Sequence, residues 1–247
     1  MKIASILLAA GQGTRMHSKI PKVLHPVVGR PMIFYAVEAV QMLVNLPPVV
    51  IVGYGSDAVQ QALSGAGYEV QFALQEQQLG TAHAISCAQP LLEKQADQVL
   101  VTCADMPLLQ EETLQRLVTL HAQSGGVMTM TSVIGEVPRG FGRVIRDEHG
   151  GVSAIVEEAV ATPEQLTIRE YNVSAYCFEA AWLWENLTRI QLSAKKEYFL
   201  TDLVEIAVKQ GYKVQTLVVP DPTEALGINT RVDLAAAEHA MRQRINQ

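Results

Sequence analysis

Cysteine is scarce in this chain of 247 residues. Its three cysteines, Cys87, Cys103 and Cys177, lie far apart and form no Cys-x-x-Cys pair. This pattern argues against a disulfide framework and a thiolate metal site, and it suits a reducing compartment. The six histidines are scattered without ligand spacing, so the sequence predicts no zinc site.

Excess positive charge and long apolar runs are also lacking. The formal net charge of -6 disfavours nucleic acid as the main partner. No uninterrupted apolar stretch is long enough to span a bilayer, so no membrane partner is expected. The apolar run 3–10 behind Lys2 leads into a polar, cationic loop without the cleavage site of a secretory signal. We therefore expect a cytoplasmic protein that acts on small molecules.

The hydrophobic pattern predicts an α/β fold. Short β-branched runs alternate with segments of helical periodicity over the first half of the chain. The predicted strands there are 3–8, 49–52, 70–73 and 99–102. This alternation is typical of a Rossmann-like, doubly wound, mostly parallel sheet, which binds its ligands at the carboxyl ends of the strands.

The second half of the chain has a different pattern. From 127 to 178, shorter predicted strands are separated by glycines, which indicates a hairpin-rich lobe for an acceptor substrate. A helix over 198–210, a strand over 213–219 and a final helix over 231–247 follow. We divide the chain into a main domain at 1–229 and a linker-like C-terminal helix at 230–247.

The most informative segment follows the first predicted strand. Gly11 and Gly13 can bring backbone N–H groups close to phosphate oxygens, while Arg15 and Lys22 can neutralise negative charge. The segment is not a P-loop, because no Gly-Lys-Ser/Thr sequence opens a helix there. It is not a dinucleotide fingerprint either, because Met16 replaces the third glycine. It therefore predicts a nucleoside triphosphate site, although solvated loop cations are the simpler interpretation of Arg15 and Lys22.

Asp105 follows the apolar run 99–102, so its carboxylate is expected at the carboxyl end of a strand. Mg²⁺ that bridges substrate phosphates typically takes only one or two protein carboxylates. A single aspartate in this position therefore predicts a magnesium site. The competing interpretation is a turn residue before Pro107.

These segments and several others resemble the uridyltransferase domain of bifunctional N-acetylglucosamine-1-phosphate uridyltransferases. The matching segments are 8–16, 21–25, 75–84, 105–108, 140–143, 155–157, 170–172, 197–202 and 227–231. The resemblance implies the fold of nucleotide-diphospho-sugar transferases and Mg²⁺ as cofactor. It also implies attack of N-acetylglucosamine 1-phosphate on UTP, giving UDP-N-acetylglucosamine and pyrophosphate without a covalent enzyme intermediate.

The resemblance also implies roles for individual residues. The nucleotide-binding residues would be Leu8, Ala9, Ala10, Gly11, Gly13, Gln75, Gly80 and Thr81, the last three reading uracil. Arg15 would face the departing pyrophosphate, and Lys22 the reacting phosphates, with Asp105 as the third catalytic residue. Asp105 and Asn229 would hold the metal. The sugar-binding residues would be Cys103, Gly140, Glu157, Asn172 and Asn229.

Simpler structural interpretations stay open for several of these residues. Thr81 and Asn229 could be helix-cap residues, Gly140 a turn residue, and Glu157 part of a strand edge.

Three departures from the family pattern lie on the sugar side. Ser174 and Ala104 stand where the family usually has glycine, and Glu158-Ala159-Val160 lacks an expected basic residue. The alternatives are therefore a nucleotidyltransferase for another sugar or base, or a nucleotide-binding protein without turnover. The hexapeptide repeats of the family's acetyltransferase domain are not found here. We expect an excised, monomeric domain of a longer, trimeric parent, with a natural single-activity enzyme as the alternative.

Overall fold

The computed structural model describes residues 1–135 and 140–246. The strands are β1 (Ile3–Leu8), β2 (Pro26–Val27), β3 (Arg30–Pro31), β4 (Val49–Val52), β5 (Gln71–Leu74), β6 (Gln98–Cys103), β7 (Met128–Ile134), β8 (Arg143–Arg146), β9 (Val152–Val156), β10 (Glu170–Glu179) and β11 (Gln215–Val218). The helices are α1 (Met32–Gln41), α2 (Ser56–Gly65), α3 (Thr81–Ser86), α4 (Gln89–Leu92), α5 (Glu111–Ser124), α6 (Ala180–Leu187), α7 (Asp202–Lys209) and α8 (Arg231–Ile245).

Within these ranges, a nine-stranded sheet forms the centre, with a main path in the order β11-β7-β10-β6-β1-β4-β5. The pairs β1–β4, β1–β6, β4–β5 and β7–β11 are parallel. Strand β10 lies antiparallel between β6 and β7, and the β8–β9 pair joins it at one end. The predicted α/β fold with a doubly wound, mostly parallel sheet is confirmed.

Helices cover both faces of this sheet, so successive strand residues enter two separate cores. Ile6 of β1 belongs to the core that contains Trp182 of α6 and Leu203 of α7. Its neighbour Leu7 belongs to the opposite core, which contains Ile33 of α1. Alternate residues of a strand point to opposite faces, and both faces are apolar here. This double burial explains why the sequence of β1 and β4 is almost continuously apolar.

The predicted bounds of β1 and β4 are confirmed, and β5 and β6 differ from prediction by one residue at their ends. The expectation of shorter strands over 127–178 is confirmed for β8 and β9 and is wrong for β10, which has ten residues and lies with β7 in the central sheet. The β8–β9 hairpin does lie in this segment. Residues 136–139 of the segment, and Gln247 of the predicted final helix, lie outside the described residues.

The helix predicted over 198–210 begins only at Asp202. The residues before it are hydrogen-bonded to the segment that precedes α3: Tyr198 N–H donates to Leu79 O at 2.8 Å, and Leu200 N–H donates to the Thr81 hydroxyl at 2.9 Å. Ala82 N–H also donates to Tyr198 O at 3.0 Å, and a helix that began at Tyr198 would instead pair this carbonyl with the N–H of Asp202. No helix in the described part of the chain combines the length and apolar character needed to cross a membrane.

Candidate active site

A cavity of ≈ 270 Å³, here called the larger cavity, lies at the carboxyl ends of β1 and β6. Ten predicted site residues line it: Leu8, Ala9, Ala10, Gly11, Lys22, Gln75, Gly80, Thr81, Cys103 and Asp105. Four lining residues were not predicted: Val23, Gln78, Ala84 and Glu197. Gln78 and Glu197 lie in segments that match the family pattern, and this match is the sequence signal that could have identified them as site residues. Parallel strands of this fold place ligands at this edge, so the location fits the predicted nucleotide site.

Gly13 and Arg15 lie outside the lining of the larger cavity. Gly13 has a left-handed φ of 63°, and a Cβ atom there would come within 2.7 Å of Lys22 Cβ. The glycine therefore lets the loop pack against the Lys22 side chain. Arg15 lies in a short 3₁₀ turn, exposed, and it makes no hydrogen bond or ion pair with any described residue.

Lys22 joins the two residues expected to hold a metal. Its ammonium group forms an ion pair with Asp105 Oδ2 and donates a hydrogen bond to Asn229 Oδ1 at 3.1 Å. Ile228 N–H donates to Asp105 O at 2.9 Å, which ties the Asn229 segment to the end of β6. A carboxylate oxygen and an amide oxygen therefore converge on one cationic nitrogen.

The alternative interpretation of Asn229 as a helix cap is not supported. Thr230 caps α8, where its side chain and that of Asp233 form a capping box. The Asn229 backbone N–H donates to Asp233 Oδ2 at 3.0 Å, and this leaves the Asn229 side chain for the site.

The donor chemistry at this point suits magnesium. Mg²⁺ prefers oxygen ligands and keeps several waters or phosphate oxygens in its octahedron. The described residues contain no group of three or more His, Cys, Asp or Glu side chains able to hold a metal. A metal held by Asp105 and Asn229 would therefore depend on substrate oxygens for the rest of its coordination.

Gln75 is buried, and its amide has a fixed orientation. Its Nε2 donates to Gly80 O at 3.0 Å and lies 3.0 Å from His83 Nδ1. The Oε1 atom of Gln75 is therefore the end of the amide available to a ligand in the larger cavity. An amide oxygen accepts hydrogen bonds only, so it suits a donor on a base edge.

Gly80 and Thr81 lie against the backbone of residues 198–200. Gly80 has φ 99° and ψ 179°, and a Cβ atom there would lie 2.6 Å from Tyr198 O. Gly80 occupies the N-cap position of α3, while the Thr81 hydroxyl accepts from Leu200 N–H. The interpretation of Thr81 as an ordinary cap is therefore wrong.

A second cavity, of ≈ 120 Å³ and here called the smaller cavity, shares Cys103 and Asp105 with the larger one. All five predicted sugar-binding residues line it: Cys103, Gly140, Glu157, Asn172 and Asn229. The two cavities thus meet at Asp105, beside the Lys22 ammonium group. Met106, Phe141, Gly142, Ser174 and Gly227 complete the lining and were not predicted as site residues.

Two neighbouring glutamates hold different parts of the smaller cavity. Glu157 accepts from the Thr201 hydroxyl at 3.0 Å, and burial raises the pKa of its carboxyl group. Glu158 belongs to the stretch 158–160, which lacks the basic residue that the family pattern predicts soon after Glu157. It accepts from Gly140 N–H at 2.7 Å and pairs with Arg143 at 2.9 Å. Glu158 therefore ties the 140–143 segment to the end of β9.

Comparison with known proteins gives matches over most of the chain. Residues 5–188 match the family described as the MobA-like NTP transferase domain. The bifunctional protein GlmU of Pelotomaculum thermopropionicum is 46% identical over 246 residues, covering 99% of this chain and 53% of that protein. GlmU of Pelobacter propionicus is 42% identical over 246 residues, with the same coverage. The chain thus spans about half the length of the curated relatives it matches.

A solved structure of UDP-glucose pyrophosphorylase complexed with UDP-glucose has a TM-score of 0.76 against this chain. The match covers 99% of this chain and 100% of that one, at 18% sequence identity. At this identity the likeness shows a common fold, which agrees with the sheet described above.

Proposed function

The chain belongs to the MobA-like NTP transferase domain family, and we propose that it transfers the uridylyl group of UTP to N-acetylglucosamine 1-phosphate. The products are UDP-N-acetylglucosamine and pyrophosphate. The single observation that supports this most strongly is the meeting of two cavities at Asp105, next to Lys22. Relatives named GlmU, 41–46% identical over almost the whole chain, support the choice of substrates.

In this proposal UTP occupies the larger cavity and the sugar occupies the smaller one. The backbone of 8–11 contacts the nucleoside, and Gln75 Oε1 accepts from the N–H of the uracil ring. Cytosine has no N–H at that ring position, so an amide locked by Gly80 and His83 favours uracil. Cys103, Gly140, Glu157 and Asn172 surround the sugar.

The reaction needs positioning and charge neutralisation more than proton transfer. A phosphate oxygen of the sugar 1-phosphate bonds to the α-phosphorus of UTP, and the bond from that phosphorus to the pyrophosphate oxygen breaks. A phosphate monoester is largely dianionic at neutral pH, so its attacking oxygen needs no base. Because the two cavities meet at Asp105, binding both substrates places the attacking oxygen, the α-phosphorus and the leaving oxygen in line.

Lys22 and Arg15 supply positive charge at different points of the reaction. Lys22 is half-buried between the cavities and neutralises the reacting phosphates. Arg15 is exposed and unpaired within the described residues, which leaves its guanidinium free to meet pyrophosphate as it departs. Asp105 and Asn229 would hold Mg²⁺, which would supply charge stabilisation at the phosphate oxygens. We further propose a cytoplasmic location and a longer parent protein.

The direct test is pyrophosphate release with Mg²⁺, using UTP and a panel of sugar 1-phosphates, repeated with CTP, GTP and ATP. We expect the highest kcat/KM for UTP with N-acetylglucosamine 1-phosphate. Arg15→Ala should slow turnover by orders of magnitude at an unchanged Tm, because the side chain is exposed and makes no hydrogen bond or ion pair with the described residues. Arg116→Ala, an exposed arginine of α5 outside both cavities, is the matched control. Absence of pyrophosphate release with every pair, or preference for another base, would contradict the proposal.

A further inference from the structure

A recess of ≈ 50 Å³ lies next to the smaller cavity and shares four lining residues with it. The shared residues are Cys103, Glu157, Asn172 and Ser174. Tyr176 also lines the recess, and only 3% of this residue is exposed. The Asn172 side-chain nitrogen donates to the Tyr176 hydroxyl at 2.5 Å. A buried tyrosine hydroxyl thus touches the carboxamide of a predicted sugar-binding residue.

The backbone that brings these two residues together is a β-bulge. The pairing of β10 with β7 shifts register between Asn172 and Tyr176, and Ser174 within the bulge has a left-handed φ of 58°. Buried Thr131 satisfies the bulge: its hydroxyl donates to Ala175 O at 3.0 Å and accepts from Ala175 N–H at 3.3 Å. A bulge whose backbone groups are paired in this way is a stable feature of the strand.

The bulge also holds the other end of the Asn172 side chain. Ser174 N–H donates to Asn172 Oδ1 at 3.1 Å, while Asn172 Nδ2 donates to Tyr176. If the carboxamide rotated by half a turn, its nitrogen would face the Ser174 N–H, and two donors would meet. The orientation is therefore fixed from both ends. One Nδ2 hydrogen and one Oδ1 lone pair remain for a ligand in the smaller cavity.

We propose that Tyr176 is a positioning residue for the sugar part of the sugar 1-phosphate, acting through the orientation of Asn172. This inference rests on the proposed function and extends it to a residue that no matching segment contains. Without the Tyr176 hydroxyl, the Asn172 amide loses one of the two partners that fix its orientation, and the Ser174 N–H alone holds it. The hydroxyl and amide groups of the sugar then meet a mixture of two Asn172 orientations, one that presents the nitrogen as donor and one that presents the oxygen as acceptor.

The test is Tyr176→Phe, which removes the hydroxyl and keeps the ring. We expect the KM for N-acetylglucosamine 1-phosphate to rise roughly tenfold, in line with one lost buried hydrogen bond. The KM for UTP and kcat should stay within about twofold of wild type, because Asn172 does not line the larger cavity. By calorimetry, UDP should bind as before, while UDP-N-acetylglucosamine should bind roughly tenfold more weakly.

Tyr35→Phe is the matched control, because the Tyr35 hydroxyl donates to Val27 O at 2.8 Å away from both cavities. It should affect stability alone. In the Asn172→Ala background, Tyr176→Phe should add no further loss, since its route of action is gone. An unchanged KM for the sugar 1-phosphate in Tyr176→Phe, or additive losses in the double variant, would overturn the inference.

Two further outcomes keep the test decisive. If Tyr176→Phe does not fold, Tyr176→Met also lacks the hydroxyl and fills the space with an adaptable side chain. Failure of both variants to fold would also overturn the inference, because the hydroxyl would then serve the fold. Wild-type protein that turns over no sugar 1-phosphate would instead overturn the proposed function. Wild-type turnover with an unaltered Tyr176→Phe variant would overturn this inference alone.

Discussion

Replacing Gly80 by alanine should destabilise the protein strongly. The backbone there has φ 99° and ψ 179°, a region almost restricted to glycine, and leaving it occupied by alanine costs about 1–3 kcal/mol. The new Cβ would also lie 2.6 Å from Tyr198 O and 2.7 Å from Tyr198 N, so the backbone must move, at about 1–3 kcal/mol more. The expected loss is therefore about 2–6 kcal/mol.

Gly11→Ala is the matched comparison, with the opposite expected sign for stability. A Cβ atom at Gly11 would meet no heavy atom within 4 Å, and its φ lies outside the left-handed range. Alanine restricts the unfolded chain, so it should stabilise the fold by about 0.4–1 kcal/mol. Gly11 lines the larger cavity, however, and the added methyl group would occupy space that our proposal assigns to the nucleotide.

Thermal unfolding and calorimetric UTP titration separate the two effects. At about 2–4 °C per kcal/mol for a chain of this size, Gly80→Ala should lower Tm by roughly 4–24 °C. Gly11→Ala should keep or raise Tm while weakening UTP binding by about tenfold or more, the size of effect that close backbone contact implies. A wild-type Tm for Gly80→Ala would refute the steric argument. Wild-type UTP affinity for Gly11→Ala would place the nucleotide elsewhere.

Asp105→Asn should abolish pyrophosphate release at every Mg²⁺ concentration, because an amide lacks the carboxylate charge; recovery at high Mg²⁺ would reduce Asp105 to a minor ligand. Gln75→Ala should lower the preference for UTP over CTP in competition assays, and an unchanged preference would count against base reading. Burial lowers the pKa of His121 from 6.5 to about 4, so its contribution to stability is complete above pH 6.5 and is lost as pH falls towards 4. Denaturant unfolding at pH 4.5 and 7.5 should test this. Between these two pH values the free energy of unfolding should change less in His121→Gln than in wild type, by up to roughly 3 kcal/mol.

The parallel half of the sheet could be predicted closely from the sequence. The strands β1 and β4 are short apolar runs that end at small or polar residues, so both their type and their bounds were readable. The length of β10 was not readable, because Asn172 and Ser174 interrupt its apolar pattern. Only the bulge and its Thr131 contacts make these polar residues compatible with one continuous strand. Tertiary hydrogen bonds likewise override the helical periodicity before Asp202.

The candidate site likewise contains some residues that could be predicted from the sequence and others that could not. Motif residues such as Gln75 and Asn229 could be predicted, because glycine-rich and polar segments after strands carry a local signal. Tyr176 could not, since a tyrosine in a strand is ordinary until the bulge places its hydroxyl against Asn172. The pairing of Glu158 with Arg143 also depends on a tertiary contact, between the 3₁₀ turn that follows β9 and the first residue of β8. Assignment of the ligands themselves remains a prediction for the assays above.

The insertion of β10 between β6 and β7 has a consequence for synthesis on the ribosome. Both neighbours emerge before β10, whose last residue is Glu179, so β6 keeps an open edge while some 70 further residues are translated. That edge belongs to Gln98–Cys103, an almost wholly buried strand in the finished protein. An exposed apolar strand edge invites pairing with other chains. The elongation rate over this stretch therefore determines how long the nascent protein is vulnerable to aggregation.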